Sequence, residues 1–252
     1  MVFAKKKWGQ NFLVDNNLLE KIIKTIDIKK DDEILEIGPG HGALSEKIVQ
    51  KTKILKMVEI DPELIKVIGQ NPLLSQFEIF NQDILKTNLK ELGLNSPKVI
   101  GNIPYNITSP IIFWLIDHLP YWSESYLMVQ KEVAQRIVAD QESDDYGALS
   151  VLFGLFTESK IQFDVSKNCF YPPPKITSSV ITIQRESLVD QEVRLDAFEI
   201  SKVAFQQRRK KVRTSLSSII SEGQLEELDI DINSRAGNLS PDDYLKIAKA
   251  RQ

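Results

Sequence analysis

Three glycines at alternating positions, Gly38, Gly40 and Gly42, follow a short apolar run. Glycines with this spacing let the backbone approach a ligand closely while the chain turns from a strand into a helix. Glu59 ends the next apolar run, 21 residues after Gly38, where a carboxylate accepts hydrogen bonds from ribose hydroxyls. Asp83 follows a third run, in a place from which it can accept a hydrogen bond from the exocyclic amine of an adenine. The pattern predicts an adenosine-binding site; the alternative is a glycine-rich turn without a ligand, with Asp83 as an ordinary turn residue.

The spacing of the glycines narrows the choice of ligand. A dinucleotide-binding loop is spaced G-x-G-x-x-G and holds a pyrophosphate at a helix N-terminus, whereas this loop is spaced G-x-G-x-G. The observed spacing suits S-adenosylmethionine, which has no pyrophosphate. It disfavours a nicotinamide-dependent oxidoreductase, for which the sequence also offers no acid/base pair for hydride transfer.

The segment Asn102, Ile103, Pro104 and Tyr105 is the second candidate for chemistry, and it follows a fourth apolar run. The Asn102 side chain offers an acceptor oxygen, and the turn that the proline fixes leaves a backbone carbonyl as a second acceptor. Two acceptors aimed at an amino group bind its two hydrogens and pull its nitrogen towards sp3 geometry, which frees the lone pair to attack a sulfonium methyl group. Tyr105 can stack on a base taken out of its helix. The alternative is an Asn-x-Pro turn beside a core tyrosine.

Apolar runs alternate with amphipathic stretches over the first two-thirds of the chain, and this alternation must position the candidate residues. Strands are predicted at residues 34–37, 54–60, 77–80, 99–100 and 126–129, with helices at 43–51 and 109–118. Alternating strands and helices indicate right-handed parallel βαβ units, which bind ligands at the carboxyl edge of the sheet. Residues 148–156 and 176–184 are interpreted as two further strands.

The pattern changes after residue 184. Residues 197–205, 212–220 and 241–250 are typical of helices, the last of them behind the N-cap candidate Ser240. We therefore predict an α/β domain over residues 1–184 and a helical domain over residues 185–252.

The composition excludes several classes of protein. The 252 residues are 42% hydrophobic and 27% charged, which is typical of a globular protein rather than a disordered or fibrous one. The single cysteine, Cys169, forbids an intrachain disulfide and fits a reducing cytosol. Because the chain shows neither a long apolar segment nor the apolar region of a secretory signal, we expect a cytoplasmic protein without a membrane span. With two histidines and one cysteine, we expect no metal site.

Taken together, these motifs resemble one family. The chain is similar to the KsgA-type small-subunit ribosomal RNA adenine dimethyltransferases and, more distantly, to the Erm enzymes that modify large-subunit RNA. The resemblance covers nearly the whole chain. It is carried by residues 9–13 (GQNFL), 36–42 (EIGPGHG), Glu59, Asp83, 102–105 (NIPY), 170–178 (FYPPPKITS), 204–211 (AFQQRRKK) and 235–241 (RAGNLSP).

The resemblance implies a fold, an activity and a set of site residues. The implied fold is a Rossmann-like class I SAM-dependent methyltransferase domain with a mostly parallel sheet, followed by a small all-α C-terminal domain. The implied activity is the transfer of two methyl groups to each of two adjacent adenosines near the 3′ end of 16S rRNA, within the 30S subunit or its late precursor. Implied contacts to S-adenosylmethionine are Asn11, Leu13, Gly38, Gly40, Glu59, Ile60, Asp83, Ile84 and Asn102. The target base would be handled by Asn102, Ile103, Pro104 and Tyr105, with Phe170 as a second aromatic wall.

Two alternatives stay open at this point. One is an Erm-type 23S rRNA adenine methyltransferase, and the other is a ribosome-assembly relative that keeps the fold without turnover. The basic segment at residues 207–211, the ending at residues 235–241 and the calculated pI of about 5.6 favour the KsgA type. Intact Asn102 and Tyr105 disfavour a protein without activity. We expect a monomer.

The net charge of −3 conceals two basic segments. On average the charge disfavours indiscriminate nucleic-acid binding, because contact with phosphates needs clustered lysine and arginine. Residues 202–213 nevertheless contain no acidic residue, whereas acids gather at residues 140–145 and 222–231. We predict that both basic segments contact RNA rather than forming solvated surfaces. Their candidate residues are Lys5, Lys6 and Lys7 in the first segment and Arg208, Arg209, Lys210, Lys211 and Arg213 in the second.

Overall fold

The computed structural model describes Lys5 and residues 8–186 and 190–251 of the chain. These residues form two compact units, the first comprising Met1–Ala134 with Lys160–Arg185 and the second Gln135–Ser159 with Glu186–Gln252. The predicted division into residues 1–184 and 185–252 differs from this partition by one segment, Gln135–Ser159, which groups with the C-terminal helices.

The strands and helices alternate through the first part of the chain, as predicted. The strands are β1 (Phe12–Leu13), β2 (Glu33–Ile37), β3 (Ile54–Glu59), β4 (Glu78–Asn81), β5 (Lys98–Asn102), β6 (Glu124–Gln130), β7 (Thr157–Val165), β8 (Phe170–Tyr171) and β9 (Ser178–Arg185). The helices are α1 (Asn16–Ile26), α2 (Ala43–Ile48), α3 (Pro62–Gly69), α4 (Thr108–Asp117), α5 (Lys131–Ile137), α6 (Ala148–Phe156), α7 (Gln191–Gln206), α8 (Val212–Ser215), α9 (Glu222–Glu227) and α10 (Pro241–Lys249).

The first unit is built on a mostly parallel sheet. Its strand order is β4-β3-β2-β5-β6-β9-β7, with β2 to β6 parallel to their neighbours and β9 antiparallel to β6. The central strands are apolar on both faces because helices cover both faces of such a sheet, and Ile34, Leu35, Val99 and Ile100 are accordingly buried. The fold class predicted from the sequence is therefore confirmed. Strands β1 and β8 form a separate two-stranded antiparallel ribbon.

Helix α1 shows how the local sequence determines an element of this unit. The Asp15 carboxylate accepts a hydrogen bond from the Leu18 amide at 2.9 Å and so satisfies one donor of the first turn. Leu18, Leu19, Ile22, Ile23 and Ile26 recur every three or four residues, form one face of the helix and are buried against the rest of the unit. Asp27 ends the helix in the left-handed conformation, at a φ of 50°.

The second unit contains the main error of the sequence analysis. Residues 148–156 were expected to form a strand, but they form helix α6, which packs on α7 and α10. Val151, Phe153 and Phe156 are all buried, because the helix is surrounded by apolar partners. A short continuous apolar run has the same pattern in a buried strand and in a buried helix, and its periodicity does not distinguish the two. Packing against α7 and α10 also explains why Gln135–Ser159 groups with the C-terminal helices.

The other helical predictions for this unit are largely confirmed. Helices α7 and α10 include nearly all of the residues expected at 197–205 and 241–250, and the Ser240 hydroxyl accepts a hydrogen bond from the Asp243 amide at 3.1 Å. The predicted helix over residues 212–220 is shorter and spans Val212–Ser215, followed by turns. Within the described part of the chain, no helix is both long enough and apolar enough to cross a membrane.

Two glycines in the helices of the second unit allow a matched test of its packing. A Cβ atom added at Gly154 would lie 2.6 Å from Cγ of Pro241, whereas one added at Gly223 would have no neighbour within 4 Å. We expect Gly154→Ala to lower the free energy of unfolding by about 1–3 kcal/mol, because the rigid proline ring forces the two helices to shift. Gly223→Ala should be neutral or stabilising by up to about 1 kcal/mol. Urea unfolding of both variants measures the difference, and equal stabilities would contradict the close contact of α6 with α10.

Candidate active site

A cleft of about 770 Å³, including its opening to solvent, lies at the carboxyl edge of the parallel strands in the first unit. Crossover connections bring the ends of these strands together at one edge, where open α/β sheets bind ligands. The cleft brings together most of the residues that were predicted to bind a cofactor or the target base. Its lining includes Asn11, Gly38, Gly40, Glu59, Ile60, Asp83, Ile84, Asn102, Ile103, Pro104 and Tyr105.

The glycine loop after β2 forms one wall of the cleft. The Gly38 amide donates to the Val58 carbonyl at 2.9 Å, which ties the loop to β3. Gly40 has a φ of +61°, and a Cβ atom there would lie 3.0 Å from the Phe12 ring. Glycine is required at this position both for its backbone conformation and for the space that Phe12 occupies. The Phe12 ring also lies edge-on to His41, with 4.3 Å between the ring centroids.

Glu59 presents a buried carboxylate at the end of β3. One oxygen accepts a hydrogen bond from the Asp61 amide at 2.9 Å, and the other accepts from the Gly40 amide at 3.3 Å. Burial raises the pKa of Glu59 above its usual value, although these backbone hydrogen bonds oppose the shift. Each carboxylate oxygen can accept more than one hydrogen bond, so Glu59 keeps acceptor capacity on the side that faces the cleft. This arrangement fits a ligand that carries vicinal hydroxyl groups.

Asp61 anchors the N-terminal segment beneath the cleft. Its buried carboxylate accepts hydrogen bonds from Lys5 Nζ at 2.9 Å, Gln10 Nε2 at 3.2 Å and the Glu63 amide at 3.1 Å. Burial opposes ionisation of Asp61, but these hydrogen bonds outweigh it and hold the pKa of Asp61 below its usual range. The sequence analysis missed this role, because an aspartate before a proline reads as a helix N-cap, which Asp61 also is.

Lys5 forms ion pairs within the protein, and its contact with RNA stays a prediction. We expected Lys5 to contact RNA, but its ammonium group lies between the carboxylates of Asp61 and Glu63, at 2.9 and 3.1 Å. The buried charge of Asp61 requires a partner, and Lys5 supplies it. Lys6 and Lys7 lie outside the described residues.

Asn102 is oriented by the N-terminal segment. Its Nδ2 donates a hydrogen bond to the Asn11 carbonyl at 2.8 Å. Because a carbonyl can only accept, this contact identifies which atom is the amide nitrogen and leaves Oδ1 as the acceptor of the side chain. The next residue is fixed as well, since the Ile103 amide donates to the Met128 carbonyl at 3.1 Å. The end of β5 is thus held rigidly on both sides.

Tyr105 stands in the same cleft with its ring held at the hydroxyl end. Its hydroxyl lies 2.6 Å from the hydroxyl of Ser178, which is fully buried at the start of β9. Burial raises the pKa of Tyr105, so the phenol is neutral at physiological pH. A neutral aromatic ring fixed at one end can serve as a surface on which a base stacks.

Leu13 and Phe170 do not reach the lining of this cleft. They are paired in the β1–β8 ribbon and are 9% and 3% exposed, within the apolar core of the first unit. Residues directly opposite each other in an antiparallel pair project to the same face. Because Phe12 faces the cleft, its neighbour Leu13 and the Leu13 partner Phe170 face the core. The structure therefore places the expected second aromatic wall away from the opening, and Leu13 lines a neighbouring cavity instead.

Glu36 is a buried acid that the motif contains but that the sequence analysis did not single out. It is 2% exposed at the end of β2, and one of its oxygens accepts a hydrogen bond from the Ser45 hydroxyl at 2.6 Å. Burial, with a further contribution from the nearby charge of Glu59, raises the pKa of Glu36 to about 7, against the opposing effect of the Ser45 hydrogen bond. The sequence feature that could have indicated this residue is an acid between apolar residues near the end of β2.

The remaining basic candidates lie in the second unit. Arg208, Arg209, Lys210 and Lys211 are exposed. Arg208 Nη2 donates to the Asp144 carbonyl at 2.9 Å, and Lys211 Nζ donates to Asn233 Oδ1 at 2.9 Å. Arg213 is partly buried at the start of α8. Contact of these residues with RNA stays a prediction. Over the part of the chain that the structure describes, no group of three histidine, cysteine or acidic side chains is arranged to hold a metal ion.

The raised pKa of Glu36 predicts an unusual dependence of stability on pH. The folded protein holds the Glu36 proton up to pH about 7, whereas the unfolded chain releases it at the usual value near 4.5. The free energy of unfolding should therefore fall as the pH rises between these values, by about 3 kcal/mol in total. Glu36→Gln, which cannot ionise, should lose this contribution. Denaturant unfolding at pH 5 and pH 8 tests the difference, and parallel behaviour of the variant and the original protein would contradict it.

Comparison with known proteins identifies the family. The family model described as ribosomal RNA adenine dimethylase matches residues 1–252. Two relatives named "Ribosomal RNA small subunit methyltransferase A" come from Malacoplasma penetrans and Francisella tularensis subsp. novicida. They are 38% and 37% identical over 97% of this chain, and the matches cover 91% and 96% of the relatives. These matches decide against the oxidoreductase.

Two solved structures have the same fold. A dimethyladenosine transferase from Plasmodium falciparum matches with a TM-score of 0.82 and 26% identity, over 94% of this chain and 95% of the other. The 23S rRNA methyltransferase ErmE matches with a TM-score of 0.75 over 96% and 99% of the two chains, and at 23% identity this likeness concerns the fold alone. The chain belongs to the ribosomal RNA adenine dimethylase family and is a SAM-dependent ribosomal RNA methyltransferase.

Proposed function

We propose that this protein transfers two methyl groups to the exocyclic amine of each of two adjacent adenosines near the 3′ end of 16S rRNA, in a late small-subunit assembly particle. The names of its relatives support the small subunit as substrate, and the matches extend over nearly the whole chain. The single observation that carries the chemistry is the hydrogen bond from Asn102 Nδ2 to the Asn11 carbonyl, which fixes an acceptor oxygen in the cleft.

The residues of the cleft fit S-adenosylmethionine. Glu59 offers acceptors for the ribose hydroxyls. Asp83 lies on the lining; its Oδ1 accepts a hydrogen bond from the Leu85 amide at 3.0 Å, and Oδ2 is left to accept one from an adenine amine. Ile60 and Ile84 supply apolar surface for the faces of the base, and the glycine loop leaves room for the backbone to approach the rest of the molecule. When bound, the cofactor would supply a methyl group on a positively charged sulfur; an amine nitrogen would bond to that carbon as its bond to sulfur breaks, and the sulfur would leave as a neutral thioether.

Asn102 is the proposed catalytic residue. Its Oδ1 accepts a hydrogen bond from the target amine, and the backbone carbonyl of the segment Ile103–Pro104 accepts a second. Together they hold the amine with its lone pair directed at the methyl group, so the protein contributes orientation rather than a base. A methylated amine is cationic and releases its proton afterwards, which fits a cleft whose described lining contains no histidine.

Tyr105 is proposed to hold the target adenine. A base in a helix keeps its amine out of reach of the cleft, so the nucleotide must be extruded before transfer. The Tyr105 ring, restrained by Ser178, offers a stacking surface next to Asn102. The exposed basic residues 208–211 are proposed to bind phosphates of the same RNA.

Replacement of Asn102 separates catalysis from cofactor binding. We expect Asn102→Ala to abolish methyl transfer, because the amine loses its fixed acceptor, while the affinity for S-adenosylmethionine weakens only partly. The comparison variant Glu59→Ala should instead lose cofactor binding together with activity. Transfer of labelled methyl groups and equilibrium dialysis of the cofactor provide the two measurements. Unchanged turnover in Asn102→Ala would refute the proposed role of this residue.

The choice of RNA distinguishes the proposal from the Erm-type alternative. With labelled S-adenosylmethionine, we expect label in unmethylated 30S subunits and none in protein-free 23S rRNA. Each modified adenosine should carry two methyl groups, as nucleoside analysis by mass spectrometry can measure. Label that appears only in the large-subunit RNA would establish the Erm-type activity instead.

A further inference from the structure

The segment that joins β8 to β9 is anchored at both ends to residues that line the cleft. At its start, Tyr171 is paired with Phe12 across the β1–β8 ribbon. At its end, the buried Ser178 hydroxyl lies 2.6 Å from the Tyr105 hydroxyl. Phe12 and Tyr105 both line the cleft. Both ends of the segment therefore contact residues that line the cleft.

Tyr171 is the aromatic residue that this ribbon presents to the outside. Its side chain is 61% exposed, whereas the preceding Phe170 is 3% exposed. Tyr171 lies directly opposite Phe12 and so projects to the same face of the ribbon, the face on which Phe12 packs against the glycine loop. The alternation of the strand thus directs Tyr171 towards the side of the cleft and Phe170 towards the core.

The exposure and surroundings of Tyr171 suit an unpaired nucleobase. A planar apolar ring at the surface can bury its face against any base, and such stacking is common to single-stranded RNA sites. Tyr171 is more exposed than Tyr105, which is partly buried, and it does not belong to the lining of the cleft. Lys175, exposed in the same segment, adds a positive charge for the RNA backbone.

We propose that Tyr171 stacks on the base next to the target adenosine, at the margin of the cleft, while Tyr105 holds the target itself. The inference rests on the proposed function, because it requires an RNA substrate whose target nucleotide enters the cleft. A base that remains outside while its neighbour enters loses one stacking partner, and the Tyr171 ring replaces that partner. The residue contributes to affinity for RNA and to the choice of unpaired adenosines, and it takes no part in cofactor binding.

The test compares Tyr171→Ala and Tyr171→Phe on unmethylated 30S subunits with labelled S-adenosylmethionine. A stacking contact is worth about 1–3 kcal/mol, so Tyr171→Ala should raise the KM for subunits by about 5- to 150-fold. Tyr171→Phe keeps the ring and should stay within about twofold of the original protein. Cofactor affinity should be unchanged in both variants. Ile54→Ala is the matched control, because it also removes an exposed apolar side chain but lies at the amino end of β3, opposite the cleft.

Two results of the KM measurements would overturn the inference. One is a KM for subunits in Tyr171→Ala equal to that of the Ile54→Ala control, and the other is an equal loss in Tyr171→Phe, which would assign the effect to the hydroxyl group. A Tyr171→Ala protein with altered cofactor affinity would also overturn it, since the effect would then come from the ribbon and Phe12. Failure of the original protein to methylate 30S subunits would instead refute the proposed function, and the two failures are distinguishable.

Discussion

The parallel arrangement of β2 to β6 is the constraint on which the site depends. Parallel neighbours start and finish at the same edges, so the residues that follow β2, β3, β4 and β5 meet at one place although the chain separates them widely. Gly38, Glu59, Asp83 and Asn102 each follow or end one of these strands. A shift of one residue in any pairing would reverse the side chains of that strand and bury the wrong face. The apolar pattern of the strands therefore fixes the functional groups as firmly as it fixes the core.

The N-terminal segment holds residues of the site in position. Two of its contacts reach residues that line the cleft, from the Asn11 carbonyl to Asn102 and from the Phe12 ring to the glycine loop, and a third joins Lys5 to Asp61, which lies outside the lining. The contact with Asn102 orients its side-chain amide. Because Nδ2 donates to the Asn11 carbonyl, Oδ1 is the atom left to accept a hydrogen bond from a ligand. The segment has little regular structure, and its position depends on these long-range contacts rather than on local propensity.

The sequence predicted the strands of the parallel sheet to within a few residues, since period and turn residues are local properties. Glycine spacing and the position of Glu59 likewise located the cleft, because they follow from the ends of strands. The sequence-based prediction was wrong at residues 148–156, because an apolar run fits a buried strand and a buried helix equally well. Only the contacts with α7 and α10 determine that this segment is a helix. The burial of Phe170 and the ion pair of Lys5 could not be predicted for a related reason: the face of a two-residue strand and the partner of a lysine are set by residues far away in the chain.

The two strands of the β1–β8 ribbon are synthesised at widely separated times. Phe12 leaves the ribosome early, but its partner Tyr171 follows 159 positions later. Between them the chain must also complete Gln135–Ser159, a segment that belongs to the second unit. At a synthesis rate of about 5–20 residues per second, Phe12 therefore waits about 8–32 seconds for this partner. The parallel strands can assemble during this interval, whereas the cleft acquires its margin only after β8 and β9 have emerged.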